Sequence, residues 1–221
     1  MGQTADTVFH GRKIKQKRGR RTYDALISTA FKLLEKREFD EITIAEIAAK
    51  GGYSVGAFYA RFRSKSEFFD AMIAHHMEQR SKQRDSLFAS LPDDTWMASV
   101  FDDLVAYYWK RRRFWRAALI RSIRDPDFWE PLRQHGHELA DRVIERISRQ
   151  AGRRLTAAEE MDVRFALQVV LSTINNAIIN RPGPILIGQP AFVANLARTF
   201  RLVSNYDEIV RASKRRERRK E

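Results

Sequence analysis

The chain contains no cysteine, which excludes disulfide bonds and thiolate metal sites. It has only six prolines, and the strand-like alternation of apolar and polar residues is scarce. No stretch approaches about 18 consecutive apolar residues, so we expect no membrane-spanning helix. The charged N-terminal residues are not followed by an apolar run, which argues against a secretory signal. These absences favour an all-α protein of the reducing cytoplasm.

Positive charge is concentrated at the two ends of the chain, which has a net charge of +13. Residues 1–65 hold 14 Lys and Arg against 7 Asp and Glu, and residues 211–221 hold 7 against 2. The residues between these segments are close to neutral. Basic ends on a neutral body favour a polyanionic partner. For the C-terminal run, a solvated tail is the alternative, because the helix dipole alone favours a cationic helix end.

Helical patterns and charge runs divide the chain into four predicted parts. A basic arm is expected over residues 1–21 and a small helical domain over residues 22–68. A larger helical domain is expected over residues 69–212, followed by a basic tail over residues 213–221. Apart from one short helix discussed below, the predicted helices span residues 23–36, 44–50, 65–91, 94–112, 114–124, 128–151, 157–180 and 190–212.

Three of these helix starts have Ser or Thr three residues before Glu. This is the capping-box pattern, in which each side chain bonds a free backbone amide of the first turn. The pairs are Thr43 with Glu46, Ser64 with Glu67, and Thr156 with Glu159. We therefore expect these to be the best-defined helix starts.

The helix after Thr156 is apolar on more than one side, which predicts burial on more than one side. We expect one face to pack on its own core and another to meet a second copy of the chain, with the last helix contributing a further stripe. A core formed entirely within one chain is the alternative. The predicted dimer interface comprises Phe165, Val169, Ile178, Phe192, Leu196 and Phe200.

The segment GGYSVGAFYARFRSK, residues 51–65, follows the short helix that starts after Thr43. A helix-turn-helix needs a small residue where its helices meet, a glycine in the turn and an inward apolar residue on the second helix. Ala48, Gly52 and Phe58 fit these three roles. Ser54 is the expected N-cap of the second helix.

A helix-turn-helix presents the N-terminal residues of its second helix to the DNA major groove. Small residues there let the backbone approach closely, and Val55 and Ala57 can meet thymine methyl groups. Helix N-termini bind phosphate, and Arg commonly pairs with guanine. The arm that ends at Arg21 is expected along the backbone or in the minor groove. The candidate DNA contacts are Arg20, Arg21, Thr43, Ser54, Val55, Gly56, Ala57, Tyr59, Arg61 and Lys65.

Two aromatic or basic side chains near this helix have simpler alternatives. Tyr59 can be a packed side chain with a polar tip, and Arg63 is expected to be solvated.

The segment from about Leu26 to Phe69 resembles the DNA-binding domain of the TetR family of transcriptional repressors. The family run is roughly Ala-Gly-Val-Ser-x-Gly-x-Leu-Tyr-x-His-Phe-x-x-Lys, and residues 51–65 follow it closely. Three departures matter here. Glu38 stands where a glycine usually ends the first helix, so the chain is expected to turn after that helix without the help of a glycine. Tyr53 replaces a small aliphatic residue, and Arg61 replaces the common histidine and is expected to add a phosphate or guanine contact.

The resemblance implies three DNA-binding helices, a helical domain with a ligand cavity, and dimerisation through the last two long helices. It therefore implies a homodimer that binds a near-palindromic operator in double-stranded DNA and is released by a small-molecule inducer. We expect a repressor, although an activator would share this fold.

Aromatic residues are dense in the second domain, where all four tryptophans fall within 34 residues. Aromatic walls suit a small apolar or aromatic ligand. A core filled with large side chains explains the same residues equally well. The candidate ligand pocket comprises Phe101, Tyr108, Trp109, Trp115 and Trp129.

The chain shows no paired carboxylates, nucleophile–base pair or phosphate loop, so we expect no enzyme and no cofactor. Its clustered histidines are neighbours in sequence and do not share a helix face, so no metal site is expected. The alternative function is a constitutive or architectural DNA-binding protein without an inducer.

Overall fold

The computed structural model describes residues 17–217, with the side chains of residues 19–211. Most of the predicted arm, residues 1–16, lies outside the described residues, as do residues 218–221 of the predicted tail.

Over residues 17–217 the chain forms α-helices and two short 3₁₀ turns, without a strand, which confirms the all-α prediction. The 3₁₀ turns are Phe39–Glu41 and Pro126–Trp129. The helices are α1 Lys17–Leu34, α2 Ile44–Lys50, α3 Val55–Tyr59, α4 Lys65–Ser90, α5 Trp96–Lys110, α6 Arg112–Arg124, α7 Glu130–Gln150, α8 Ala157–Ile179, α9 Pro190–Val203 and α10 Tyr206–Glu217. None of these helices combines the length and hydrophobicity that crossing a lipid bilayer requires.

Helix α1 begins at Lys17, earlier than the predicted start at Tyr23. The segment before Tyr23 has no apolar periodicity, so the sequence pattern alone places it in the arm. Lys and Arg are nevertheless good helix formers, and the helix that is buried from Thr22 onward extends backward through them. The last five residues of the predicted arm, 17–21, are therefore helical.

The predicted final helix over residues 190–212 is wrong, because the chain forms two helices there. Helix α9 ends at Val203, and Asn205 adopts a left-handed backbone with φ of 52°. Asn tolerates this conformation better than most residues. The Ser204 hydroxyl donates to the Phe200 carbonyl at 2.7 Å. The apolar stripe continues through the break, so periodicity alone does not reveal it.

The three predicted helix starts use their caps differently. Thr156 and Glu159 form the full box, with the Thr156 amide 2.8 Å from the Glu159 carboxylate. The Thr43 and Ser64 hydroxyls accept the expected amide bonds at 3.1 and 3.0 Å. The carboxylates of these two pairs make other bonds. Glu46 pairs with Arg37 and Lys50, and Glu67 accepts from the Arg63 amide at 2.7 Å.

The chain separates into two compact units, residues up to Lys82 and residues from Gln83. The core of the first unit is rich in phenylalanine. The ring centroid of Phe58 lies 5.3 Å from that of Phe62 and 5.1 Å from that of Phe68. This cluster fixes α3 against the start of α4.

In the second unit, α9 packs against α5 and α8. The Phe101 and Phe200 ring centroids are 5.4 Å apart. The buried residues of α8 and α9 include four members of the predicted dimer interface: Ile178, Phe192, Leu196 and Phe200. These four side chains are buried within their own unit, which leaves them little surface for the predicted contact with a second copy. Their stripe faces the core of their own unit, and apolar periodicity cannot tell the two destinations apart.

The remaining two members of that predicted interface lie toward the surface. The Phe165 side chain is 54% exposed, and Val169 is partly exposed.

Candidate nucleic-acid interface

Helices α2 and α3 are joined by a tight turn at Gly51, Gly52 and Tyr53. The Gly51 amide bonds the Ile47 carbonyl at 3.0 Å, and the Tyr53 amide bonds the Ala48 carbonyl at 2.9 Å. Gly52 has φ of +79°, a conformation that glycine adopts without strain. A Cβ on Gly51 would lie only 3.0 Å from the Ile47 carbonyl oxygen. Gly52 is therefore favoured for its backbone conformation, and Gly51 for its close packing.

Helix α3 is short and has two distinct faces. Phe58 points inward and is fully buried. Val55 and Tyr59 point outward, with 40% and 52% of their surface exposed. Gly56, between them in sequence, is also exposed. Among residues 19–82, the exposed large apolar side chains are these two on α3.

The start of α3 is capped as the sequence predicts. The Ser54 hydroxyl accepts from the Ala57 amide at 3.1 Å. The amides of the first helical turn have no acceptor four residues earlier within the helix, and those that a cap does not use can bind an anion. Thr43 is exposed at the start of α2 and Ala57 is partly exposed on α3.

Arg61, which the sequence suggests as a phosphate or guanine contact, bonds two backbone carbonyls of its own unit. Its Nη1 donates to the Ala57 carbonyl at 3.0 Å, and its Nε donates to the Gly19 carbonyl at 3.3 Å. The side chain therefore joins α3 to the first turn of α1. The sequence reasoning missed this contact because it placed Gly19 in the arm.

Lys65, the first residue of α4, lies beside the 3₁₀ turn. Its Nζ donates to the Asp40 carbonyl at 3.2 Å and sits 4.6 Å from the Phe39 ring centroid. Burial lowers the pKa of Lys65, with the opposite effect of the Asp40 charge being smaller. An ammonium group has three donors, so this one retains capacity for a phosphate.

The corner after α1 turns without a glycine, and hydrogen bonds of neighbouring side chains hold it instead. The Glu38 amide donates to the Glu41 carboxylate at 3.2 Å. Arg37 donates to the Glu41 carbonyl at 3.2 Å and pairs with Glu46. Hydrogen bonds from Arg37 and then Lys50 lower the pKa of Glu46. Arg37 was not identified from the sequence as part of this corner. The opposite charges of Arg37 and Glu46 on either side of the turn are the feature of the sequence that could have indicated the pair.

Arg20 and Arg21 are exposed on the first turns of α1. The pKa of Glu78 is lowered mainly by its hydrogen bond to Lys82, with smaller contributions from His75 and Arg20. Arg20 therefore lies within electrostatic reach of α4.

The family model for "Bacterial regulatory proteins, tetR family" matches residues 26–72, which contain α2, the turn and α3. Residues 26–72 therefore carry the N-terminal domain of the TetR family of transcriptional regulators. It is also 32% identical over 63 residues to an uncharacterized HTH-type transcriptional regulator, YwcC, of Bacillus subtilis. That match covers 28% of this chain and 26% of the relative, so it spans about a quarter of the relative's length.

Solved structures of regulatory proteins, two of which are described as TetR-family, share the fold over most of this chain. A regulator from Streptomyces coelicolor has a TM-score of 0.61 at 19% identity, with 89% of this chain and 88% of that chain covered. A regulator from Mesorhizobium loti has a TM-score of 0.64 at 16% identity, with 86% and 96% covered. The fatty acid degradation regulator FadR of Bacillus halodurans has a TM-score of 0.58 at 16% identity, with 82% and 94% covered.

The five candidate pocket residues make different contacts in the structure. Tyr108 and Trp115 stack, with ring centroids 4.6 Å apart and planes at 24°. Phe101 instead contacts Phe200, as described above. Trp109 lies against Gly188, where an added Cβ would be 3.6 Å from the indole, and Trp129 is partly exposed.

The surroundings of Trp109 are partly cationic. The Arg112 guanidinium lies 4.5 Å from the Trp109 ring centroid, and Arg112 Nη1 donates to the Trp109 carbonyl at 3.2 Å. Nearby on α6, Arg116 donates to the Ile178 carbonyl at 3.1 Å. These arginines supply polar groups next to the aromatic side chains.

Proposed function

We propose that the protein is a homodimeric, sequence-specific DNA-binding transcriptional regulator. It acts as a repressor that a small apolar or aromatic ligand releases from its operator. The observation that carries the DNA-binding part is the outer face of α3. It exposes Val55, Gly56 and Tyr59 directly above the buried Phe58.

Residues 22–68 form the DNA-binding domain in this proposal, and α3 enters the major groove. Val55 and Ala57 meet base edges, and Tyr59 reaches bases or backbone. The first-turn amides of α3 and the Lys65 ammonium bind phosphates. Thr43, Ser54 and the exposed Arg20 and Arg21 contact the backbone on either side, and Arg61 supports this surface from behind.

Residues 69–212 hold the dimer interface and the ligand site in this proposal. The interface uses the outer face of α8, where Met161 is 64% exposed and Phe165, one turn later, is 54% exposed. Val169 continues that face, and Leu202 of α9 is 66% exposed. Large apolar side chains exposed together on one helix mark an interaction surface. A two-fold axis across this surface presents two copies of α3 to one near-palindromic site.

The ligand site in this proposal is centred on the stacked Tyr108 and Trp115, with Trp109, Trp129 and Phe101 around it. Release requires the ligand to favour the DNA-free conformation of the dimer, because equal affinity for both conformations shifts nothing.

Selection from a randomised duplex pool tests the proposal, with affinity then followed against salt concentration. A sequence-specific dimer enriches a near-palindrome, and its log–log salt slope corresponds to several phosphate contacts. Salt-sensitive binding without an enriched sequence would favour a constitutive or architectural protein. The absence of binding at low salt, for protein freed of any co-purified ligand, would contradict the proposal.

The selected duplex then supplies the probe for the ligand. Flat aromatic and apolar compounds are titrated into the protein–DNA complex, and tryptophan fluorescence is recorded together with DNA release. An inducer changes both signals at the same concentration. Replacing Tyr108 by Ala weakens that response and leaves DNA affinity unchanged without the compound.

A further inference from the structure

We propose that Arg61 acts as a positioning residue that holds the first turn of α1, with Arg20 and Arg21, in place against DNA. This inference rests on the proposed function. It replaces a direct phosphate or guanine contact by Arg61 with an indirect role.

The Arg61 side chain completes the hydrogen bonding of α3. The Arg61 amide donates to the Phe58 carbonyl at 2.9 Å, not to the Ala57 carbonyl. The guanidinium reaches that Ala57 carbonyl instead, at 3.0 Å. This bond fixes the direction of the guanidinium relative to the recognition helix.

The same guanidinium reaches a second helix through Nε, which donates to the Gly19 carbonyl at 3.3 Å. Gly19 lies before the part of α1 that the core holds: Thr22 is 6% exposed, and the Tyr23 hydroxyl donates to the Ala71 carbonyl at 3.1 Å. Helix ends fray unless they are held. Arg61 therefore holds α1 upstream of the point at which burial begins.

Gly19 directly precedes the two exposed arginines of α1. A cation held on an ordered helical turn loses less conformational freedom on binding phosphate than a cation on a frayed end. The two hydrogen bonds of Arg61, to the Ala57 and Gly19 carbonyls, thus connect α3 to Arg20 and Arg21. An Arg is suited to this role because its rigid fork bonds two carbonyls at once, which a Lys or His cannot reproduce in the same geometry.

The test is a double-mutant cycle in the full chain on the selected duplex. Arg61→Ala is made in the parent and in an Arg20→Ala/Arg21→Ala background. We expect Arg61→Ala to weaken binding about three- to tenfold in the parent and to have no further effect in the background. Arg61→Lys keeps the charge but loses most of the same affinity.

The matched control is Arg63→Ala, which removes the same charge two residues away. The Arg63 side chain is 77% exposed and pairs with Glu67 at 3.1 Å. We expect this variant to retain its affinity. An equal loss in Arg63→Ala would show a general charge effect and overturn the proposal. An undiminished loss for Arg61→Ala in the Arg20→Ala/Arg21→Ala background, with a salt slope lower by about one, would show a direct phosphate contact and also overturn it.

Hydrogen exchange on the DNA-free protein separates this inference from the proposed function. Arg61→Ala is expected to speed exchange in the first turns of α1, while amides around the buried Phe58 keep their protection. Unchanged exchange in α1 of the Arg61→Ala variant would overturn the proposed role of Arg61 even if the protein binds DNA. Failure of the parent protein to bind any duplex would instead overturn the proposed function.

Discussion

The two compact units expose their large apolar side chains in different places. In the first unit, the exposed ones among residues 19–82 are Val55 and Tyr59, both on α3, and Gly56 lies between them in sequence. In the second unit they are spread over several helices and include Ile123, Met161, Phe165 and Leu202. A slim, amide-rich helix start suits a polyanion, whereas exposed apolar side chains on long helices suit another protein surface. The contrast supports the proposal that the first unit binds DNA and the second unit self-associates.

Removing one buried phenylalanine ring from each unit is expected to change the free energy of unfolding more than any other substitution that we propose. The two variants also test whether the units unfold independently. Phe58→Ala and Phe200→Ala each remove a fully buried ring, and each is expected to cost about 3–5 kcal/mol of unfolding free energy. Urea unfolding combined with residue-resolved hydrogen exchange measures both. Phe58→Ala should loosen the first unit and Phe200→Ala the second. Equally faster hydrogen exchange in both units of either variant would show that the two units do not unfold independently.

Removing the exposed ring of Tyr59 on α3 tests whether the first unit binds DNA through this helix. Tyr59→Ala is expected to weaken binding to the selected duplex by about 1–3 kcal/mol. Its effect on unfolding should stay within about 0.5 kcal/mol, because the side chain is largely exposed. Ile123→Ala, which truncates a side chain that is 79% exposed in the second unit, is the control and should leave DNA affinity unchanged. Equal DNA affinity for both variants would remove Tyr59 from the interface.

A charge placed on the outer face of α8 tests the self-association side. Phe165→Asp is expected to weaken the dimer by tenfold or more, on the order of 2 kcal/mol, because it buries a charge in an apolar interface. Sedimentation equilibrium measures the change. Ile123→Asp, an equivalent change on the exposed face of α6, should leave the dimer intact. A dimer weakened only by the second variant would place the interface on α6 instead of α8.

The sequence predicts the first unit more completely than the second. The turn glycine, the Ser54 cap and the inward Phe58 occupy fixed positions in a short motif, so spacing separates buried from exposed residues. In α8 and α9 the apolar residues occur on several sides, and Phe200 satisfies an interface pattern while lying in its own core. Periodicity shows that a face is buried but does not show what covers it.

Some contacts of the first unit were also beyond sequence reasoning. Arg61 bonds a carbonyl 42 residues away in sequence, and the position of that carbonyl depends on α1 extending back to Lys17. A basic run without apolar spacing does not distinguish a helical turn from a flexible arm. The break at Asn205 was hidden for a similar reason, because the apolar stripe continues on both sides of it.

The smallest expected effect concerns the capping box of α8. Hydrogen bonds from Arg153 and then from the Thr156 backbone and side chain lower the pKa of Glu159 from 4.5 to about 2. Because the folded-state pKa is depressed, the stabilisation is complete above pH 4.5 and is lost as the pH falls toward about 2. Glu159→Gln is therefore expected to cost at most about 1 kcal/mol at pH 7, since the pair is near the surface. Urea unfolding against pH should show the gap from the parent closing across that range; a gap that persists at about pH 2 would exclude the ion pair as its source.

We propose that α3 reads the base sequence, and repeating the duplex selection with Val55→Ala tests this proposal most directly. This variant changes no charge and truncates the exposed side chain at the start of α3. We predict a near-palindrome of unchanged spacing in which the preference relaxes at one symmetrically placed position in each half-site. An unchanged sequence preference would contradict the claim, because another part of the protein would then be reading the DNA.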